Sequence, residues 1–149
     1  MTAPILVFGW GNPSRGDDAL GPLFVERIAA MHIPGVECLT DFQLQVEHAL
    51  DLTDRQLILF VDASLDCEVP YRHSRLSPGH DHNFSTHAMT PEALMQVYFD
   101  LHDDDPPPCE LLAIRGESFE LGKPLSPSAA MHLDRAIDWA SKRLAAQRT

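Results

Sequence analysis

The stretch Ile5-Leu6-Val7-Phe8-Gly9-Trp10-Gly11-Asn12-Pro13-Ser14-Arg15-Gly16-Asp17-Asp18 changes character twice. An apolar run closes on Gly9, a turn-rich segment of Gly, Asn, Pro and Ser follows, and an amphipathic segment begins at Asp17. Strand, loop and helix in that order open a βα unit. In the helix, Leu20, Phe24, Ile28 and Met31 recur at i, i+4, i+8 and i+11, an apolar stripe suited to packing on a sheet, and Glu26 and Arg27 lie off it.

Working outward, the alternation of strand and helix persists. Residues 36–40 predict a second strand, 45–52 a short helix, and 56–63 a strand without polar alternation, the pattern of burial on both faces. A strand at 71–76 is followed by the His-rich loop Pro78-Gly79-His80-Asp81-His82-Asn83-Phe84-Ser85-Thr86-His87, long enough to suggest a functional role. Thr90 and Pro91 then supply an N-cap and a first helical residue, with Leu94, Val97, Tyr98 and Leu101 as the apolar stripe. The Asp-Asp-Asp-Pro-Pro-Pro connector ends that helix, residues 110–115 form another strand, and a last helix from about Ser126 carries Leu133, Ile137, Ala140 and Leu144 on one face. No repeat or internal boundary interrupts residues 1–149. The expectation is a single α/β domain, a three-layer α/β/α sandwich around a mostly parallel twisted sheet of about five strands.

Composition narrows the function. The formal net charge of −11 opposes nucleic acid and anionic membrane surfaces as partners. The 44% hydrophobic content exceeds that of disordered chains, and a chain of this length can bury a sizeable core. Apolar runs such as Pro4 to Phe8 fall far short of the ~20 residues of a membrane span, and no signal-peptide pattern opens the chain, so a cytoplasmic monomer is expected. Cys38, Cys67 and Cys109 are odd in number and widely spaced, which favours reduced thiols.

In parallel sheets ligands gather at the carboxyl ends of strands, just after Phe8, Thr40, Val61 and Ile114. Asp62 ends an otherwise apolar strand, where an ionised carboxylate is costly to bury unless it meets a cation, a donor or water. Asp17 and Asp18 open the first helix. One carboxylate there suffices as a cap; the second either caps as well or points into the cleft, and Asp18 is the one placed for the cleft. His80, His82 and His87 share one loop, and an imidazole folded over the strand ends would join the two acids. Two carboxylates and one imidazole suit Zn, Ni, Mn or Fe in the divalent state and leave coordination positions open.

Other motifs fail. Gly9-x-Gly11 after a strand, with Asp41 ending the next, invites a dinucleotide reading, but Ser14 stands where a third glycine belongs and Pro13 constrains the turn. The chain has no phosphate-binding loop with Lys, no Gly-x-Ser-x-Gly elbow and no His-Glu-x-x-His helix.

Residues Val7 to Gly21, with Gly9-x-Gly11-Asn12, four residues, then Asp17-Asp18, resemble the opening of the nickel-iron hydrogenase maturation endopeptidases. The similarity continues in Phe60-Val61-Asp62-Ala63, Ser85-Thr86-His87, Glu120-Leu121-Gly122 and Leu125-Ser126, nearly the whole chain. One departure is Ala19, where that family usually has Gly. The resemblance implies catalytic and metal-contacting roles for Asp18, Asp62 and His87. It also implies removal of a C-terminal peptide from a nickel-loaded hydrogenase large-subunit precursor, the nickel arriving with the substrate rather than as a permanent cofactor. Asp41-Phe42-Gln43-Leu44-Gln45-Val46-Glu47-His48 looks like the version serving soluble NAD-reducing hydrogenases. The competing expectation is a metal or nucleotide carrier without hydrolytic activity.

Overall fold

The computed structural model describes residues 2–79 and 89–146. Five strands, β1 (Ile5–Trp10), β2 (Val36–Asp41), β3 (Leu57–Ser64), β4 (Tyr71–Arg75) and β5 (Cys109–Arg115), form one sheet in the order β2-β1-β3-β5-β4. All neighbours run parallel except β4, which pairs antiparallel with β5 at the edge. Three helices cover it: α1 (Leu20–Ala30), α2 (Pro91–His102) and α3 (Pro127–Ala146). The expected α/β sandwich is observed. Among the described residues no helix is long and apolar enough to cross a membrane.

Strand alternation sorts the core into two halves. One face of β1 and β3 (Ile5, Val7, Leu57, Leu59, Val61) meets α1 and α3, including Leu20, Phe24, Ile28, Leu133, Ile137, Ala140 and Leu144. The other face (Leu6, Phe8, Trp10, Ile58, Phe60) meets α2 and a 3-10 segment, Val46–Leu52. The two-sided burial expected of residues 56–63 follows from this, because β3 lies in the middle of the sheet.

Local chemistry explains the element ends. The Thr90 hydroxyl accepts a hydrogen bond from the Ala93 N–H at 3.1 Å, so α2 is capped as expected. Its stripe is shifted: Met95 is buried, whereas Leu101 is 65% exposed, because the last turn runs past the sheet into the Asp103 cap at φ 52°. Met31 likewise lies beyond α1 and is exposed. The first helix does not start at Asp17 directly; Gly16–Ala19 form a 3-10 turn before α1. Gly21 lets α1 lie against the strands, since a Cβ there would sit 2.4 Å from the Trp10 carbonyl oxygen and 3.0 Å from that of Val61. The described cysteines are free, and burial pushes the Cys109 thiol up to about 12, where it is inert.

Candidate active site at the strand carboxyl ends

Gly11 to Asp18 form a knot tied by backbone groups. The Gly11 N–H donates to the Asp41 carbonyl at 3.1 Å, anchoring the loop to the end of β2. The Asn12 N–H donates to Asp18 Oδ2 at 2.8 Å, and the Asn12 side-chain oxygen accepts from the Ser14 N–H at 2.9 Å. Gly11 has φ +150°, and a Cβ there would fall 2.0 Å from the Asp18 carbonyl oxygen, so only glycine lets the chain pass this close. The sequence pattern Gly-Asn followed by an acid thus has a local purpose: it holds the Asp18 carboxylate by one oxygen. Among the described residues its other oxygen has no hydrogen-bond partner.

Asp17 does something the sequence did not indicate. It caps neither the 3-10 turn nor α1. Its carboxylate is buried and accepts from the Glu117 N–H, the Ser126 N–H and the Ser126 hydroxyl, each at 2.7 Å. Ser126 Oγ in turn accepts from the Ala129 N–H at 3.2 Å, capping α3. Burial alone would raise the Asp17 carboxyl, but hydrogen bonds from Ser126, Glu117 and Ser118 outweigh it and hold the pKa below the usual value. Asp17 therefore clamps the Asp18 loop to residues 116–126. The signal was present in the chain, two adjacent acids early and a lone cap serine late, but the link spans 109 positions and nothing local reports it.

Asp62 sits on the face of β3 that carries Phe60, level with Ala113 of β5 and next in line with Trp10 of β1. The Trp10 and Phe60 rings meet edge to face at 5.9 Å, and Phe8 lies 6.3 Å from Phe60. The carboxyl thus crowns an aromatic layer. The Ala63 N–H donates to Asp62 Oδ1 at 2.8 Å; among the described residues the second oxygen has no partner. Burial raises the Asp62 pKa to about 7, opposed by that Ala63 hydrogen bond and reinforced by the nearby Asp18 charge.

Asp18 and Asp62, from separate elements, are therefore brought into electrostatic contact, each with one oxygen that has no partner among the described residues. His87, with His80 and His82, lies outside the described residues, and no group of three metal-ligating side chains occurs among those described. Asp41 ends β2 as expected, but its carboxylate is engaged by the Phe42 N–H at 2.7 Å and by His48 Nε2 at 3.2 Å. That engagement leaves it poorly placed to receive a ribose. A carboxyl that titrates near neutrality beside a second carboxylate has the chemistry of an acid–base pair, and carboxylate oxygens are hard donors suited to a divalent cation.

No protein-family model matches the chain, and no curated protein sequence does. Solved structures do. The [NiFe] hydrogenase maturation protease HycI from Thermococcus kodakarensis superimposes with a TM-score of 0.72 at 22% identity, covering 95% of this chain and 92% of that one. The hydrogenase maturating endopeptidase HybD from E. coli gives 0.71 at 22% identity, covering 94% and 91%. The endopeptidase HycI from Escherichia coli gives 0.69 at 18% identity, covering 97% and 91%. The chain has the fold of the hydrogenase maturation proteases. Among the structures it superimposes on are those named HycI and HybD.

Proposed function

We propose that the protein is an endopeptidase that removes the C-terminal extension of a [NiFe] hydrogenase large-subunit precursor. The observation that carries the reading is the Asp18–Asp62 pair at the strand ends, with Asp62 titrating at about 7, on a fold shared with maturation endopeptidases. Asp18, Asp62 and His87 are the residues assigned to the site, and the nickel they would meet is held by the substrate, so that metal loading serves as a recognition element. When bound, that ion supplies positive charge next to the scissile carbonyl. Asp62 takes a proton from the attacking water as its oxygen bonds to the carbonyl carbon, then returns it to the leaving amine as the C–N bond breaks. The reaction is assigned to the cytoplasm, and residues 41–48 favour a precursor of the soluble NAD-reducing class.

The test is incubation of a nickel-loaded precursor with the enzyme and mass measurement of the product. Asp62→Ala and His87→Ala are expected to abolish cleavage while remaining folded by circular dichroism. Processing at the wild-type rate by either variant overturns the site assignment. Tight binding without any change in precursor mass by the wild-type enzyme would instead make it a carrier.

A further inference from the structure

The edge strand and the last helix enclose a second concavity, on the sheet face opposite Asp62. Tyr71, His73 and Arg75 of β4 point to the α3 side, level with Ile114, Leu112 and Glu110. Across from them Trp139 packs against Tyr71 at 5.7 Å and against His73 at 4.7 Å, with the Arg143 guanidinium 5.8 Å from its ring. The main hollow, about 830 Å3, runs from Pro70 and Tyr71 along Arg135, Trp139 and Lys142, and a further 370 Å3 beside His73 and Arg75 shares Arg143 with it.

Its charge is unusual for a chain of net −11. Every carboxylate on the groove already has a cation: Asp134 has Arg27 at 2.5 Å, Asp138 has Lys142 at 3.2 Å, and buried Glu110 has His73 at 2.7 Å and Arg143. The two groups left without a partner among the described residues are both guanidinium groups, Arg75 and Arg135, and both are exposed. The outer edge of β4 also pairs with no other strand among the described residues. An unpaired strand edge offers backbone donors and acceptors, an aromatic wall offers contact area, and two uncommitted cations set the sign.

We infer that the β4–α3 groove binds an extended acidic segment of a partner protein, added along β4 with its carboxylates on Arg75 and Arg135. The occupant is fixed by charge complementarity: among the described residues, an incoming cationic segment would meet two free cations and no free acid. The site is independent of Asp18 and Asp62, so it stands or falls separately from the proteolytic reading.

The probe is a labelled heptapeptide alternating aspartate with valine, blocked at both ends, titrated into the full chain and followed by anisotropy, Trp139 emission and amide exchange. Saturable binding that perturbs Trp139, protects β4 amides and weakens at least tenfold in Arg75→Glu/Arg135→Glu is expected; both positions are exposed, so the variant should melt as wild type does. Raising salt from about 50 to 500 mM should weaken binding by a similar factor. Absence of binding at millimolar peptide overturns the inference, as does equal binding of a lysine–valine peptide. Unchanged affinity in the double variant, or equal affinity for an oligothymidylate of like charge, would do the same.

Discussion

Asp62 is the residue on which the proposed chemistry rests, and its environment makes a prediction about the protein without any substrate. Its pKa is about 7 in the fold and 3.8 for a free aspartate, so between those limits the folded state holds a proton that the unfolded state has released. Stability therefore falls as pH rises from about 4 to 7 and levels off above. Asp62→Asn, which keeps the shape and removes the ionisation, should stabilise the protein at pH 8 by roughly 1–3 kcal/mol and have little effect at pH 4, measured by urea denaturation. Asp17 behaves oppositely. Its carboxylate satisfies three buried donors, so Asp17→Ala leaves Glu117 and Ser126 N–H groups unpaired and is expected to cost about 3 kcal/mol. Because that clamp holds the loop carrying Asp18, the same variant should lose activity even under conditions where it is folded.

At the scale of elements, glycine placement and capping set the positions on which the site depends. Gly21→Ala would drive a methyl group into the Trp10 and Val61 carbonyls and lift α1 from the sheet, a loss expected at more than ~2 kcal/mol in thermal melts. Thr90→Ala removes only a cap and should cost ~1 kcal/mol. The existence of all five strands, β4 (expected at 71–76) included, and of the three helices was legible because each carries a local signal: period, cap or apolar run. Strand order and the antiparallel direction of β4 were not, because these depend on pairings between distant segments. The candidate site divides the same way. Asp18 and Asp62 could be found from their places at element ends, whereas the Asp17–Ser126 clamp and the aromatic bed under Asp62 exist only once the strands are in register. The exposed ends of the Met31 and Leu101 stripes show the limit of periodicity: it reports a face, and the length of the sheet decides how much of that face is covered.

For the whole molecule, two opposed titrations bracket an optimum. Glu110, held below its ordinary value because hydrogen bonds from Arg143 and His73 and their charges outweigh burial, contributes stability above its unfolded pKa of 4.5 that is lost as pH falls through its lower folded value. Asp17 adds to that acid-side loss. With Asp62 acting from the neutral side, the urea midpoint should peak between about pH 4 and 6, and Asp62→Asn should flatten the neutral limb alone. The link from Asp17 to Ser126 also bears on how the fold comes into being. Synthesis delivers Asp17 a full 109 positions before Ser126, so the groups that lock the Asp18 loop arrive only with residues 117–126, and the helix that Ser126 caps follows them. A growing chain on the ribosome therefore carries both acids long before it can present them together, and the proposed site is locked only once residues 117–126 have been made.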